Sequence, residues 1–325
     1  MGGWMRSTIA ALAILVAACA AGLPQPASAQ ADIFTYKGMC DASAAVALDV
    51  EHFIVASDES NRLQIYKRGR PGPVGSVGLS DFLGTNEESD LEGAAMVGNR
   101  IYWISSHGRN SKGKFQEPRH RFFATDVTAG QPPSVTPIGR PYTKLLDDLL
   151  AAEQLKPYKL SDAAKLAPED KDGLNIEGLA ATVDGKLLIG FRNPIRKKRA
   201  LVVLLENPED LLNGKAAKFG APIGLKLKQR GIRSMERVGS SYLVIAGPTA
   251  DSGTFALYRW AGPGSDEATR VDGVDFEDLR PEALFAVTPD TVQVLSDDGG
   301  MKIGKKECKK QDEAKQSFRS MTIKP

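Results

Sequence analysis

The sequence predicts an all-β fold, a β-propeller of five blades, on three observations. β-Hairpins recur along the chain, their first strands are rich in Ala and Gly, and four of them end at a constant distance from where they begin. Hairpin units repeated along one chain are the signature of a propeller, and small residues suit innermost strands, which crowd around the central axis. The clearest unit runs from Asp172 to Pro194. A polar loop presents Glu177, an apolar run follows, Asp184-Gly185 reads as a two-residue turn, and a second apolar run ends on Arg192-Asn193-Pro194. Because a hairpin folds back on itself, Glu177 and Arg192 are expected at one edge.

Residues 1–29 carry a single charge, Arg6, then the apolar run Ile9 to Ala21 and the small-residue site Ala27-Ser28-Ala29. This reads as a secretory signal peptide cut after Ala29, too short and wrongly flanked to stay as a membrane span. The chain is therefore expected in the periplasm or secreted, with residues 30–325 as a single propeller domain. The alternative is a lipoprotein, because Val16-Ala17-Ala18-Cys19 resembles a lipobox that would anchor the chain through Cys19. Removing the signal leaves two cysteines, Cys40 and Cys308, in an oxidising compartment, and an even count there reads as a disulfide.

Five units follow, at Ser43–Tyr66, Glu92–Val127, Glu177–Leu205, Glu236–Trp260 and Glu282–Ile323. The opening run Ile33–Tyr36 has no blade of its own and is expected to close the ring beside Ser317–Ile323, which brings Cys40 towards Cys308. One segment breaks the pattern. Leu145, Leu146, Leu149, Leu150 and Leu155 have helical spacing, ending before Pro157, with a second short helix from Ser161. This places a helical insertion around 142–167; the blade count becomes six if it hides a degenerate blade. Asn207-Pro208 through Gly214 reads as a helical turn or two, with Asn207 as cap.

The net charge of +2 is too close to zero to argue for a nucleic-acid partner. The short basic runs Arg196–Arg199 and Lys305-Lys306 with Lys309-Lys310 read as solvated loops. There is no Gly-x-Ser-x-Gly elbow, Walker loop, dinucleotide fingerprint or His-Glu-x-x-His, and His52, His107 and His120 stand at no ligand spacing. Zinc and cysteine-nucleophile chemistry are thereby disfavoured.

Ser43 to Asp58, Glu92 to His107, Glu177 to Arg192 and Glu282 to Asp297 are each 15 residues apart, while the unit from Glu236 is shorter and reaches Gly247-Pro248. Inner hairpins of a propeller point the same end at the same face, so these residues should gather at one channel mouth. Asp41, Asp90, Asn175, Ser234 and Arg280 stand two positions before the first-strand residues. The expected ring sets Asp58, Glu92, Glu177, Glu236, Glu282 and Asp297 against His107, Arg109, Arg192, Arg233 and Arg280. Crowded carboxylates raise one another's pKa unless cations offset them. Three readings stay open: an arginine-balanced structural network; a hard cation such as Ca²⁺ held by Glu92, Glu177, Glu282 and Asp297; or metal and arginines together binding a small anionic or ester ligand.

The motifs Asp90-Leu-Glu-Gly-Ala-Ala95, Tyr102-Trp-Ile-Ser-Ser-His107, Asn175-Ile-Glu-Gly-Leu179, Gly190-Phe-Arg-Asn-Pro194 and Leu295-Ser-Asp-Asp-Gly299 resemble those of an exported bacterial family, domain of unknown function 3616, over nearly the whole mature chain. That resemblance implies no assigned activity. The Glu-Gly hairpins are more distantly similar to propellers described as phytase-like or esterase-like, which implies carboxylates holding calcium at the channel; their ligands match no residues here one by one. The functional expectation is an exported propeller with a carboxylate- and arginine-rich mouth, acting as a metal-dependent ester or phosphoester hydrolase. The alternative is a non-catalytic ligand-binding or protein-interaction propeller whose charged ring is structural. Substrate, metal identity and oligomeric state are not written in the sequence.

Overall fold

The computed structural model describes residues 1–3, 32–170, 172–250 and 253–325. The expected signal segment, its cleavage point and Cys19 lie outside the described residues. Strand β1 (Asp32–Lys37) comes first. Blade I is β2 (Ala44–Ala47), β3 (His52–Ser57), β4 (Ser60–Lys67) and β5 (Pro73–Gly78). Blade II is β6 (Leu91–Val97), β7 (Arg100–Ser105), β8 (Phe122–Thr128) and β9 (Ser134–Tyr142). Blade III is β10 (Asn175–Ala181), β11 (Leu187–Asn193), β12 (Ala200–Leu205) and β13 (Ile223–Leu225). Blade IV is β14 (Gly231–Val238), β15 (Ser241–Gly247), β16 (Ala256–Trp260) and β17 (Ala268–Arg270). Blade V begins with β18 (Pro281–Thr288) and β19 (Thr291–Ser296); a small hairpin, β20 (Lys302–Ile303) and β21 (Lys306–Glu307), precedes β22 (Ser317–Ile323), and β1 completes the sheet beside β22.

Each blade is antiparallel, and the inner strands meet in a closed ring: β2 on β6, β6 on β10, β10 on β14, β14 on β18 and β18 on β2. Why the inner strands carry small residues is visible in the contacts. A Cβ on Gly178 would stand 2.8 Å from Ile232 Cγ2 of the next blade, and one on Gly93 would stand 2.8 Å from Ile104 Cγ2. At such distances a larger residue would force these packed side chains to move.

The ring closes as expected, through β1. Asp32 to Lys37 pair with Thr322 to Ser317, and Tyr36 is buried against Phe53, Tyr66 and Phe318, its ring centroid 5.1–5.3 Å from each. Aromatic packing of this kind contributes roughly 0.5–1.5 kcal/mol per pair beyond area burial. Just past β1, Cys40 is joined to Cys308 by a disulfide across a separation of 268 residues.

Five blades are present among the described residues. The insertion after β9 is helical, with an α-helix at Leu145–Ala151, a 3₁₀ segment at Glu153–Tyr158 and a turn of helix at Leu160–Ala163. Leu145, Leu149, Leu155 and Leu160 are buried with Tyr102, Phe122, Ile176 and Leu201, so the insertion extends the core shared by blades II and III. No helix among the described residues is long and apolar enough to cross a membrane.

Two local expectations are corrected. The Asp184-Gly185 connection is not a two-residue turn: Thr182 N–H donates to Lys186 O at 2.8 Å, and Gly185 takes a φ of +77° within the longer loop. Asn207 occupies the N-cap position of the helical turn Pro208–Leu211, but its side chain makes no capping hydrogen bond. Its amide instead donates to Ala216 O at 3.0 Å and accepts from Lys218 N–H at 2.7 Å, pinning the chain that returns towards β13.

Candidate functional site at the channel mouth

Four of the five inner strands share a feature that aims a side chain at the axis. Leu91 pairs with Ser105 and Gly93 with Ile104, so Glu92 is an extra residue on β6. The same one-residue bulge sets out Glu177 between Ile176 and Gly178, Arg233 between Ile232 and Ser234, and Glu282 between Pro281 and Ala283. A bulge bends the strand and re-aims the inserted side chain. In blade I, Ser43 holds the equivalent place; its N–H and Ala44 both address Ala56, and its hydroxyl donates to Leu91 O at 2.6 Å.

These residues surround a cavity of about 520 Å³ lined by Asp41, Asp58, Asp90, Glu92, Asn175, Glu177, Arg192, Arg233, Arg280, Glu282 and Asp297, with Glu59, Arg119, Lys309 and others at its rim. Eight of the eleven residues expected at the mouth are therefore together: Asp58, Glu92, Glu177, Arg192, Arg233, Arg280, Glu282 and Asp297.

Glu236 and His107 are not among them. Glu236 lines a separate cavity of about 140 Å³ with Val46, Ala47, Met96, Ala181 and Ala286, residues near the opposite ends of the inner strands. The physical reason is the bulge. Arg233, three residues earlier, is the member of blade IV that matches Glu92, Glu177 and Glu282, and Arg233 to Pro248 restores the spacing of 15 (248 − 233) seen in the other units. His107 turns away on a left-handed backbone, φ +54°, so that its Nδ1 meets Ser105 O at 2.8 Å. Burial holds its pKa down to about 3, so it brings no charge. Arg109 also points elsewhere, to Ala164 O at 2.8 Å and Gly113 O at 3.0 Å.

The cavity has two electrostatically different sides. On one, Glu177 takes Arg192 Nη1 at 3.1 Å, Arg233 Nε at 2.9 Å and Asn175 Nδ2 at 2.8 Å, while Arg233 Nη2 also binds Glu282. Arg192, Arg233, Glu177 and Asn175 are all buried, and the charges cancel locally. On the other side stand Asp58, Asp90 and Glu92, each offering a carboxylate oxygen within 4.8 Å of the others. Arg119 reaches Asp90 at 3.0 Å, and Ser106 donates to the same carboxylate. Asp58 Oδ1 has no hydrogen-bond partner.

Burial and mutual repulsion act together here. Burial raises Asp58 well above the usual carboxylate range, reinforced by Asp297 and Asp41; burial raises Glu92 likewise, reinforced by Glu177, Asp90 and Asp58. Asp90 is pushed up only to about 6, because Arg119 and Ser106 oppose its burial. Asp41 is pushed up to about 8 by burial and by Asp297 and Glu59. Asp297 is raised by burial and held back by the Gly299 N–H, which donates to it at 2.8 Å. Gly299 is required at this point, since a Cβ there would lie 1.5 Å from Asp41 Oδ1.

Among the four residues expected to hold a metal, Glu177 and Glu282 are engaged by arginines, Asp297 lies beside Asp41, and Glu92 sits in the carboxylate cluster. Sequence reasoning missed Asp58 and Asp90 as its partners in that cluster. Both were in view as mouth residues, but the local pairing depends on where Arg119 and Arg233 reach. An all-carboxylate donor set suits a hard cation such as Ca²⁺ or Mg²⁺ and does not suit zinc.

The family model described as protein of unknown function (DUF3616) matches residues 139–287, a stretch that holds two of the motifs quoted above, Asn175–Leu179 and Gly190–Pro194, but not those at 90–95, 102–107 and 295–299. No curated protein matches the sequence. Among solved structures, the chain is similar to Myxococcus xanthus glutaminyl cyclase, at 14% identity and a TM-score of 0.46 over 81% of this chain and 90% of that one. It is also similar to the PQQ-bound aldose sugar dehydrogenase of Streptomyces coelicolor, at 10% identity and a TM-score of 0.44 over 91% and 99%. The Cps50 (Swd1) β-propeller domain of Myceliophteria thermophila is a third, at 8% identity and a TM-score of 0.41 over 90% and 100%.

Proposed function

From a five-bladed propeller that carries this family match, we propose an exported, metal-dependent hydrolase of phosphate or other anionic esters, with its site at the channel mouth. The observation that carries the reading is the opposition across one cavity of a carboxylate cluster, Asp58, Asp90 and Glu92, to an arginine-bearing wall. Three carboxylates this close, with Asp90 and Glu92 buried and Asp58 half-buried, favour either protonation or a cation, and a divalent ion held there would neutralise them and polarise an ester oxygen. The chain's own residues supply the rest. Arg280 is exposed at the rim with no ion pair among the described residues, so it can bind anionic oxygens. Asp41, held near 8, keeps a proton at neutral pH that it can give to a leaving alkoxide. The disulfide supports export, because such bonds persist in oxidising compartments.

A second reading, a non-catalytic ligand-binding propeller, draws on one observation: Arg192 and Arg233 are buried and already committed to Glu177 and Glu282. The two readings separate by turnover. Protein prepared without chelators is assayed with p-nitrophenyl phosphate and p-nitrophenyl acetate, with and without millimolar Ca²⁺ or Mg²⁺. Cation-dependent turnover that is lost in Asp58→Asn supports the hydrolase; cation binding without turnover of either ester supports the binding module.

A further inference from the structure

Away from the mouth, the outer edges of blades III and IV enclose a second cleft, of about 490 Å³, lined by Lys198, Lys226, Lys228, Gln229, Tyr258 and Arg270, among others. We propose that this cleft is a binding site for a phosphate group. Two turns of blade III build one wall. Lys197 and Lys198 lie between the bridged residues Arg196 and Arg199, and Lys228 and Gln229 follow β13. All four hold positive φ, between +50° and +65°, and they are half of the eight non-glycine residues that do so among the described residues. Such backbone is disfavoured for residues with a Cβ, so these turns hold their side chains in place at a cost.

Blade IV supplies the facing wall. Arg270 on β17 pairs in register with Tyr258 on β16, and the Lys226 N–H donates to Asp266 O at 3.1 Å, tying the two blades together beside the cleft. The charges do not balance. Lys226 is matched by Glu267 and lies 3.9 Å from Asp266, whereas Lys198, Lys228 and Arg270 are exposed and make no ion pair among the described residues. The independent observation is Tyr258. It lines the cleft, is only 2% exposed, and its hydroxyl has no hydrogen-bond partner. A buried hydroxyl without a partner is costly and needs an explanation.

One ligand chemistry answers both features. A phosphate group carries close to two negative charges at neutral pH and several acceptor oxygens, enough for three cations, the Gln229 amide and a phenolic O–H; a single carboxylate has fewer acceptors than these donors. The source is either free phosphate or a lipid headgroup that ends in a phosphomonoester, since a phosphodiester headgroup carries a single charge. The run Arg196–Arg199, which reads in sequence as a solvated loop, thus contributes Lys198 to a site assembled only by the fold.

The test uses the full chain and inorganic phosphate, followed by titration calorimetry. Wild type is expected to bind; Lys228→Glu combined with Arg270→Glu is expected to abolish binding; and Tyr258→Phe is expected to weaken it about tenfold, as loss of one hydrogen bond to a charged group would. Tyr258→Phe should not lower the melting temperature of the ligand-free protein, which separates a binding role from a packing one. Absence of binding, or binding that survives both variants and is lost instead in Arg280→Ala at the mouth, overturns the proposal. Sedimentation with phosphatidic acid vesicles but not phosphatidylcholine vesicles, lost in the charge variant, identifies the lipid headgroup as the source. Phosphate binding without sedimentation identifies free phosphate.

Discussion

The two sides of the mouth cavity occupy equivalent positions of the same scaffold and differ in what faces them. Glu177 and Glu92 are both bulge residues on inner strands, two residues after Asn175 and Asp90 respectively, yet Glu177 accepts from Asn175 and Arg192 and is ion-paired with Arg233, while Glu92 faces Asp58 and Asp90. The difference lies in the neighbouring blades. Blade III ends its hairpin on Arg192 and blade IV bulges at Arg233, whereas blade I offers Ser43 and Asp58 and blade II turns His107 away. Repetition therefore supplies the geometry of the ring, and single residues decide whether a glutamate becomes half of an ion pair or one of a cluster of carboxylates.

The largest expected effect tests the paired side. Arg233→Ala removes a buried partner from both Glu177 and Glu282, and should destabilise by about 3–5 kcal/mol, the usual loss when a buried charge is left unmatched. Chemical denaturation measures it. A change below about 1 kcal/mol would mean that water reaches this wall freely, and the contrast between the two sides would disappear.

Next is the disulfide, which anchors the carboxylate side: Cys40 precedes Asp41, and its carbonyl accepts from the Asp298 N–H at 3.0 Å. Replacing Cys40 and Cys308 by Ala should cost about 2–5 kcal/mol. If the carboxylate side depends on this tether, the variant should also bind Ca²⁺ more weakly, and unchanged affinity would show the cluster to be independent of it.

A smaller effect concerns pH. Asp41 and Asp90 have folded-state pKa values raised to about 8 and about 6, so between the unfolded value near 4 and those values the folded protein holds more protons than the unfolded chain. Their contribution is most favourable below pH 4 and is lost as the pH rises through 6 and then 8. Cation-free protein should accordingly lose stability between pH 5 and 8, and Asp41→Asn should flatten the upper part of that slope. A melting temperature that rises over this range in wild type and variant alike would contradict the assignment.

Much of this was legible in the sequence, and the failures share a cause. Ala/Gly-rich inner strands, the orphan strand Ile33–Tyr36 and the two remaining cysteines all reported global constraints, namely crowding at an axis, closure of a ring and pairing of thiols. Glu236 was misplaced because a bulge adds one residue to one strand of a pair, and a shift of one reverses which side chains face the channel. The signal was present: each bulge residue is followed by Gly, Ala or Ser, as in Glu92-Gly93, Glu177-Gly178, Arg233-Ser234 and Glu282-Ala283, whereas Glu236 is followed by Arg237. The grouping of Asp58 with Asp90 and Glu92 was not legible, since it depends on which carboxylates the arginines reach across the cavity.

The smallest expected effect on the fold is also a control for the site. Glu92→Gln removes one of the crowded carboxylates, so in the absence of cation its melting temperature should stay level or rise slightly, about 1 kcal/mol being worth roughly 1–2 °C in a chain of this size. A large drop would place Glu92 in the structural network with Glu177.

The central claim, that the carboxylate side holds a cation while the arginine side does not, is tested most directly by calorimetric titration of Ca²⁺ into chelator-stripped protein. Wild type should bind one ion and gain about 2.7 kcal/mol of stability at a hundredfold excess over the dissociation constant. Asp58→Asn should lose that binding, whereas Arg280→Ala should retain it. Absence of binding in wild type, or equal binding in Asp58→Asn, would contradict the account.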